Sequence, residues 1–244
     1  MTNFKVLTLN IHKGYSMSNR HFTLDKIKHR LSQSNSNIVF LQEVIGDSEK
    51  QEGAIPSWSD NNQFEFLADS IWDHYAYGKN AIYQHGHHGN AILSELPFAR
   101  FHNFDVSTLS FSQRGILHGE LENGVHLLCV HFGLFEHERQ NQIGQLIDYT
   151  NSNIDACAPL IVAGDFNDWR QKIHGRLCKQ LGLTEVFHAQ YGKVATTFPS
   201  MLPVFSMDRI YVRGFNITGA NVMSQAKWRS ISDHCALTAD LQLD

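Results

Sequence analysis

Leu160-Ile161-Val162-Ala163-Gly164-Asp165-Phe166-Asn167-Asp168 carries the pattern that decides the fold. An apolar run of strand length halts abruptly on two carboxylates and an amide. The pattern recurs along the chain. Val6–Leu9 leads into Asn10, Ile38–Leu41 into Gln42-Glu43, and Val125–Val130 into His131. Asp208 opens the Arg209–Val212 run, and Asp233-His234 precedes Cys235–Leu241. Strand ends converge on one rim of a sheet, so groups far apart in sequence can share a site.

Between the runs lie helical patterns. Over Glu136–Ile154 the residues Ile143, Leu146, Ile147 and Ile154 recur on one face, while Gln140, Gln142 and Gln145 point elsewhere. A second helix is predicted over Thr23–Ser34, with Leu24, Ile27 and Leu31 inward. A further strand is expected at Ala91–Leu93, and Glu122-Asn123-Gly124 between Arg114–Leu121 and Val125–Val130 is a hairpin signal. Mixed sheets are therefore implied. No linker or fixed-period repeat divides residues 1–244, which read as a single domain, with Gly46–Asn62 an ordered excursion.

The 244 residues are 42% hydrophobic and 18% charged, a balance that excludes a disordered chain. The apolar runs are strand-length, so neither a membrane span, a stable membrane insertion nor a signal peptide is expected. Cys129, Cys157, Cys178 and Cys235 form no CxxC pair, which fits reduced thiols and a cytoplasmic location. The net charge of −4 argues against a dedicated duplex binder, although bound cations or a local basic strip can supply attraction for a nuclease.

Glu43, Asp165, Asp233 and Asn10 offer hard oxygen ligands that suit Mg²⁺ or Mn²⁺. Magnesium fits better, because it is commonly held by one or two carboxylates plus substrate phosphate. No HExxH zinc spacing occurs. A single Asp after a strand is usually a turn residue and a single buried His a satisfied core group. Six such sites at run ends point to shared chemistry.

Those residues also carry a resemblance. Thr8-Leu9-Asn10-Ile11, Gln42-Glu43, Gly89-Asn90-Ala91-Ile92-Leu93-Ser94, Val130-His131-Phe132-Gly133-Leu134, Gly164-Asp165-Phe166-Asn167-Asp168, Met207-Asp208-Arg209-Ile210 and Ser232-Asp233-His234 follow one another from Val6 to Leu241. In this order they resemble the signature of the endonuclease/exonuclease/phosphatase superfamily, most closely a compact bacterial branch. The resemblance implies a deoxyribonuclease-I-like α/β fold, a four-layer α/β/β/α sandwich of two mixed sheets. It also implies a Mg²⁺-dependent phosphoester hydrolase, with Glu43 on the metal, helped by Asn10 and Asp233. Asp165 would then orient or deprotonate the attacking water, Asp208 would pair with His234 as an electrostatic clamp, His131 would assist the leaving oxygen or grip phosphate, and Asn167 would fix phosphate and water.

One departure is His12, where some members carry an Asp two positions beyond Asn10. His12, Lys13, Arg114, Asn90 and His88 are candidate substrate contacts. His85 and His87, in the same histidine-rich stretch, read as exposed turn residues. Trp169 reads as packing more readily than as stacking on substrate. Lys26, Lys28 and Arg30, with Arg170, Lys172, Arg176 and Lys179, read as solvated helix faces before they read as a backbone track.

The expected substrate is a phosphoester: nucleic acid, lipid head group or small molecule, with no protein partner implied. A phosphodiesterase leads, followed by an endo- or exonuclease and then by a phospholipid or sphingomyelin head-group diesterase, for which no membrane-inserting apolar loop is evident. A catalytically dead binding module ranks last, since Glu43, Asp165, Asp208 and His234 are all present.

Overall fold

Strands buried on both faces read as unbroken apolar runs rather than alternating ones, and that is how this chain is built. The computed structural model describes residues 2–48, 62–83 and 86–244. In order it runs through β1 (Asn3–Asn10), a 3-10 turn (His12–Gly14), α1 (Leu24–Gln33), β2 (Ile38–Ser48), α2 (Gln63–Ala68), β3 (His74–Tyr83), β4 (Gly86–Ser94), β5 (Phe98–Asp105) and β6 (Gly115–Leu121). It continues with β7 (His126–His131), α3 (Glu136–Asn153), β8 (Leu160–Asp165), α4 (His174–Leu181), β9 (Thr184–Glu185), α5 (Val186–Tyr191), β10 (Asp208–Arg213), β11 (Phe215–Met223), α6 (Ala226–Arg229) and β12 (Ala236–Leu243).

These strands form two mixed six-stranded sheets, β11-β12-β1-β2-β4-β3 and β5-β6-β7-β8-β10-β9. Side chains alternate between faces along each strand. Phe4, Val6, Ile38 and Phe40 of the first sheet meet Leu127, Cys129, Ile161 and Ala163 of the second in one core between the sheets. The intervening Leu7, Leu9, Val39 and Leu41 turn outward under α1 and α2, where they pack on Ile27, Leu31 and Leu67. On the other outer face Leu128, Val130 and Val162 pack under α3 and α4 against Ile143, Leu146 and Leu177. Four layers result, α/β/β/α, as the family resemblance implies.

Each predicted apolar run coincides with a strand, with Val125 and Cys235 standing just ahead of β7 and β12, and the two predicted helices are α1 and α3. Gly46 to Ser48 complete β2, while residues 49–61 of the expected excursion lie outside the described residues, as does His85. The helix between β2 and β3, α2, leaves no periodic signal because it has only six residues.

Parallel pairing sets the site. β1 runs parallel to β2 with Asn10 beside Gln42, and β7 parallel to β8 with His131 beside Asp165. β10 runs antiparallel to β8 and brings Asp208 opposite Asp165. Gly164 makes this close approach possible: at φ +146° a Cβ there would stand 2.0 Å from the Val130 carbonyl oxygen.

Candidate active site

The rims of the two sheets meet over Asp165. From the first sheet, the Asn10 side-chain Nδ2 lies 3.2 Å from Glu43 Oε1 and 3.2 Å from Asp165 Oδ2, so one amide spans two carboxylates donated by different sheets. From the second, His131 Nε2 lies 3.6 Å and His234 Nε2 3.9 Å from the same Asp165 oxygen. Five residues spread over 225 positions of sequence thereby converge on one point.

Each is held by local structure. Between Leu41–Ala91 and Val44–Gly89 the β2–β4 register slips, so Gln42 and Glu43 face the single residue Asn90. This bulge, with Glu43 at φ 57°, re-aims two adjacent side chains. Gln42 turns inward to donate to Thr8 Oγ1 and Cys129 Sγ, and Glu43 emerges half-buried at the rim. Asn167 is also left-handed, at φ 49°; its backbone N–H donates to Asp165 Oδ1 and its Nδ2 to the Phe132 carbonyl. His12 and Lys13 share that conformation, so half of the eight non-glycine residues with positive φ among the described residues border this rim.

The segment before β12 is pinned to β1. Ser232 Oγ donates to the Asn10 carbonyl at 2.6 Å, and the His234 N–H donates back to Ser232 Oγ. Asp233 Oδ1 lies 3.7 Å from His12 Nδ1, while the His12 N–H donates to Asn10 Oδ1. Thr197 Oγ1 accepts from the Met207 and Asp208 N–H groups. Asp208 is fully buried, and its Oδ2 lies 2.7 Å from His234 Nδ1.

Electrostatics divide the two histidines. Burial alone would strip His234 of its proton, but Asp208, then Asp165 and Asp233, outweigh it and raise the imidazole to about 10. His131 has no such carboxylate behind it, and burial, with the charges of Arg114, His88, His234 and Lys13, holds it well below the usual imidazole range. Its 3.6 Å approach to Asp165 is thus a contact of a neutral ring and not an ion pair. Burial pushes Asp165 up to about 6, against the pull of His234 and hydrogen bonds from Asn167 and Asn10.

The remaining sequence candidates surround this centre with different roles. Burial and the neighbouring Lys13 charge push His88 down to about 4, and Arg114 acts on the same ring. Lys13, Arg114, His88 and His131 therefore face one another electrostatically. Asn90 is fully buried between the sheets, where its Nδ2 donates to the Gly115 and Cys129 carbonyls; this is a cross-sheet strut. His87 Nδ1 lies 3.0 Å from the Tyr77 hydroxyl, inside the sheet edge rather than at an exposed turn. Lys28 pairs with Asp69, Lys172 with Glu136, and Arg176 donates to Gln140, which fits the solvated-face reading.

One role escaped sequence reasoning. Asp168, three residues beyond Asp165, accepts from the fully buried Arg209 at 3.1 Å and from the Lys172 and Ile173 N–H groups, so it braces the loop below the site. Trp169 is exposed, with Arg170 4.5 Å over its ring and Phe205 5.6 Å away.

Chemically, the cluster can hold a cation and move a proton. Ligand atoms of Asp165, Asp208 and His234 lie within 4.8 Å of one another. A protonated imidazole has no lone pair to give, however, and His234 is tied to Asp208. The hard oxygens bridged by Asn10, those of Glu43 and Asp165, are the donors free of that constraint.

The two-sheet α/β/β/α sandwich with its acid, amide and imidazole rim has counterparts among known proteins. The Endonuclease/Exonuclease/phosphatase family profile matches residues 7–234, so the chain belongs to that family. It is 42% identical over 245 residues to the uncharacterised protein YbhP of Escherichia coli strain K12, covering 98% of this chain and 96% of that protein. The endonuclease/exonuclease/phosphatase from Beutenbergia cavernae DSM 12333 has a similar structure, with TM-score 0.79 at 18% identity over 100% of this chain and 72% of that one. The mannosyl-6-phosphatase Bt3783 of Bacteroides thetaiotaomicron VPI-5482 follows at TM-score 0.70 and 15% identity, covering 98% of this chain and all (100%) of that one. At these identities the two structures speak for the fold.

Proposed function

We propose that this protein is a divalent-cation-dependent phosphodiesterase that hydrolyses a phosphoester by in-line attack of water. The observation that carries this reading is the buried His234 imidazole, backed by Asp208 at 2.7 Å, which favours its protonated form, and directed at the Asp165 carboxylate 3.9 Å away. A carboxylate and an imidazolium so placed can take a proton on one side of a phosphorus centre and stabilise charge on its oxygens.

Glu43 and Asn10 would hold Mg²⁺, or Mn²⁺ in its place, with Asp233 beside them. The donor chemistry fits, since the Asn10 amide brings the hard oxygens of Glu43 and Asp165 to one point, each 3.2 Å from its nitrogen, with Glu43 only half-buried. Such an ion offsets phosphoryl charge and orients the ester. Asp165, ionised above about pH 6, accepts the proton of the attacking water. Its two oxygens are oriented by Asn10 and by the Asn167 N–H, which hold it in one rotamer. His234 Nε2–H donates to a non-bridging oxygen as charge gathers there. As the new P–O bond forms, the bond to the leaving oxygen breaks; that oxygen takes its proton from solvent, and the neutral His131 retains one N–H to hydrogen-bond it or the phosphate. Lys13 and Arg114 line the approach and attract the anionic ester, with His12 and His88 beside them as further contacts.

The test is hydrolysis of bis-p-nitrophenyl phosphate with added Mg²⁺, for wild type and for the Asp165→Asn and His234→Ala variants. Both variants should lose two or more orders of magnitude, about the cost of one preorganised charge-stabilising group. Undiminished turnover in either removes the role assigned to that residue. p-Nitrophenyl phosphate, run alongside, decides between diester and monoester.

A further inference from the structure

Water-exposed apolar side chains on this protein are not scattered. Of the thirteen large ones exposed among the described residues, eight stand on loops that leave the catalytic rim of the second sheet. Met201, Leu202, Val204 and Phe205 lie on the hairpin that precedes Asp208, with Leu202 70% exposed. Trp169 follows Asp165 and packs on Phe205; Leu134 and Phe135 follow His131; Phe111, 76% exposed, precedes Gly115 and touches Phe135 ring to ring. All four loops emerge from the end of the sheet that carries His131, Asp165 and Asp208. Apolar surface concentrated around one opening marks an interaction site.

We infer that this ring of loops docks the protein on a phospholipid surface, so that a lipid-borne phosphoester enters the site from the bilayer interface. The inference rests on the phosphodiesterase reading for its substrate and on the loops alone for its partner. Charge favours a bilayer over the alternatives. Val194 to Met207 contains no charged residue, nor does Val106 to Gln113, nor Phe132 to Phe135. A nucleic-acid track needs cations at the points of contact to neutralise phosphates, and these three tips have none; only the Trp169 loop carries one, Arg170, beside its ring. Aliphatic tips with a tryptophan at their base are what an interfacial anchor requires. The cations stand where anionic head groups would: Arg170 against Trp169 at the margin, Lys13 and Arg114 within the mouth.

The docking hairpin is continuous with the chemistry. Phe198 and Phe205 pair across its base, and the Phe198 ring lies 5.0 Å from that of His234. Ser200 Oγ donates to the Ser232 carbonyl and to that of Arg229, and the Cys235 N–H donates to the Thr197 carbonyl. The hairpin and the segment bearing Asp233 and His234 therefore move as one unit, and a surface bound by the first lies directly over the second. No helix among the described residues is long and apolar enough to cross a membrane, so docking by loop tips is peripheral.

Flotation with vesicles of equal parts phosphatidylcholine and phosphatidylglycerol tests this. Wild type and Asp165→Asn should both float, because docking does not need catalysis. The double variant Met201→Asp, Leu202→Asp, altered only at exposed tips, should stay at the bottom, with partitioning lowered about tenfold or more. It should keep the wild-type melting temperature and wild-type hydrolysis of the soluble bis-p-nitrophenyl ester. The inference is overturned if wild type does not float or if the double variant floats equally well. It is also overturned if the same substitutions instead abolish binding to a single-stranded oligonucleotide or dissociate a dimer. Flotation without any ester hydrolysis would uphold docking and sink the hydrolase reading alone.

Discussion

His234 Nδ1 stands 2.7 Å from Asp208 Oδ2, and the Asp208 carboxylate behind it is wholly buried. Its other oxygen, Oδ1, has no partner among the described residues. A buried carboxylate with one contact, to an imidazole, makes the proton on that imidazole the principal compensation for its own charge.

Asp208→Asn should therefore discharge His234 without displacing it. Activity should fall about a hundred- to a thousandfold, and the His234 ring resonances should titrate far below the wild-type value of about 10. NMR titration of the ring carbons reads this directly, and an unchanged titration would detach Asp208 from the role given to it.

The pH dependence follows with a definite sign. The His234 value rises from 6.5 to about 10 on folding, so its stabilisation is complete below pH 6.5 and fades as the pH climbs toward 10. Asp165, raised from 3.8 to about 6, works in the same direction over a lower window: the fold favours its protonated form, an advantage lost as the pH rises through 6. Thermal melts of cation-free protein should thus fall from pH 6.5 to 10 by an amount of order a few kcal/mol, and Asp208→Asn should flatten that slope. Turnover should be bell-shaped, rising through pH 6 as Asp165 ionises and declining near 10 as His234 loses its proton.

Glu43→Gln should weaken cation binding while leaving the fold intact, since Glu43 is half-buried at the rim. At a Mg²⁺ concentration about 100 times its Kd, wild type gains about 2.7 kcal/mol from mass action. The variant should show little of that gain in a melting experiment, and EDTA should abolish turnover in wild type until Mg²⁺ is restored. An equal Mg²⁺-dependent shift in the variant would place the cation elsewhere.

Asp168→Ala should behave differently from any change at Asp165. It strands the guanidinium of Arg209, fully buried, without its carboxylate, which costs about 3–5 kcal/mol. Chemical denaturation measures this; a variant as stable as wild type but inactive would move Asp168 into the chemistry.

Much of this arrangement is legible in the sequence because burial on both faces writes itself as unbroken apolar runs. Asn10, His131, Asp165 and Asp208 are readable as the polar residues at which such runs begin or end. Glu43 is readable as a polar neighbour of a run, but the bulge that aims it is a matter of register between β2 and β4 and leaves no periodic trace. β5 is not legible either: its side chains are mostly exposed, with Arg100 and His102 among them, so it lacks any apolar run. Asn90 falls in the family motif, yet only the packing of the two sheets shows its amide donating to carbonyls of β6 and β7. The apolar hairpin at Phe198–Phe205 looks like any core segment until its tip is seen in solvent.

A crystal soaked with Mn²⁺ and inorganic phosphate, read by anomalous scattering, tests the central claim most directly. One manganese peak should lie within coordination distance of the Glu43 carboxylate and the Asn10 amide, with phosphate between it and His234 Nε2. Manganese bound away from Glu43, or phosphate bound on the far side of the sheets from His234, would contradict it.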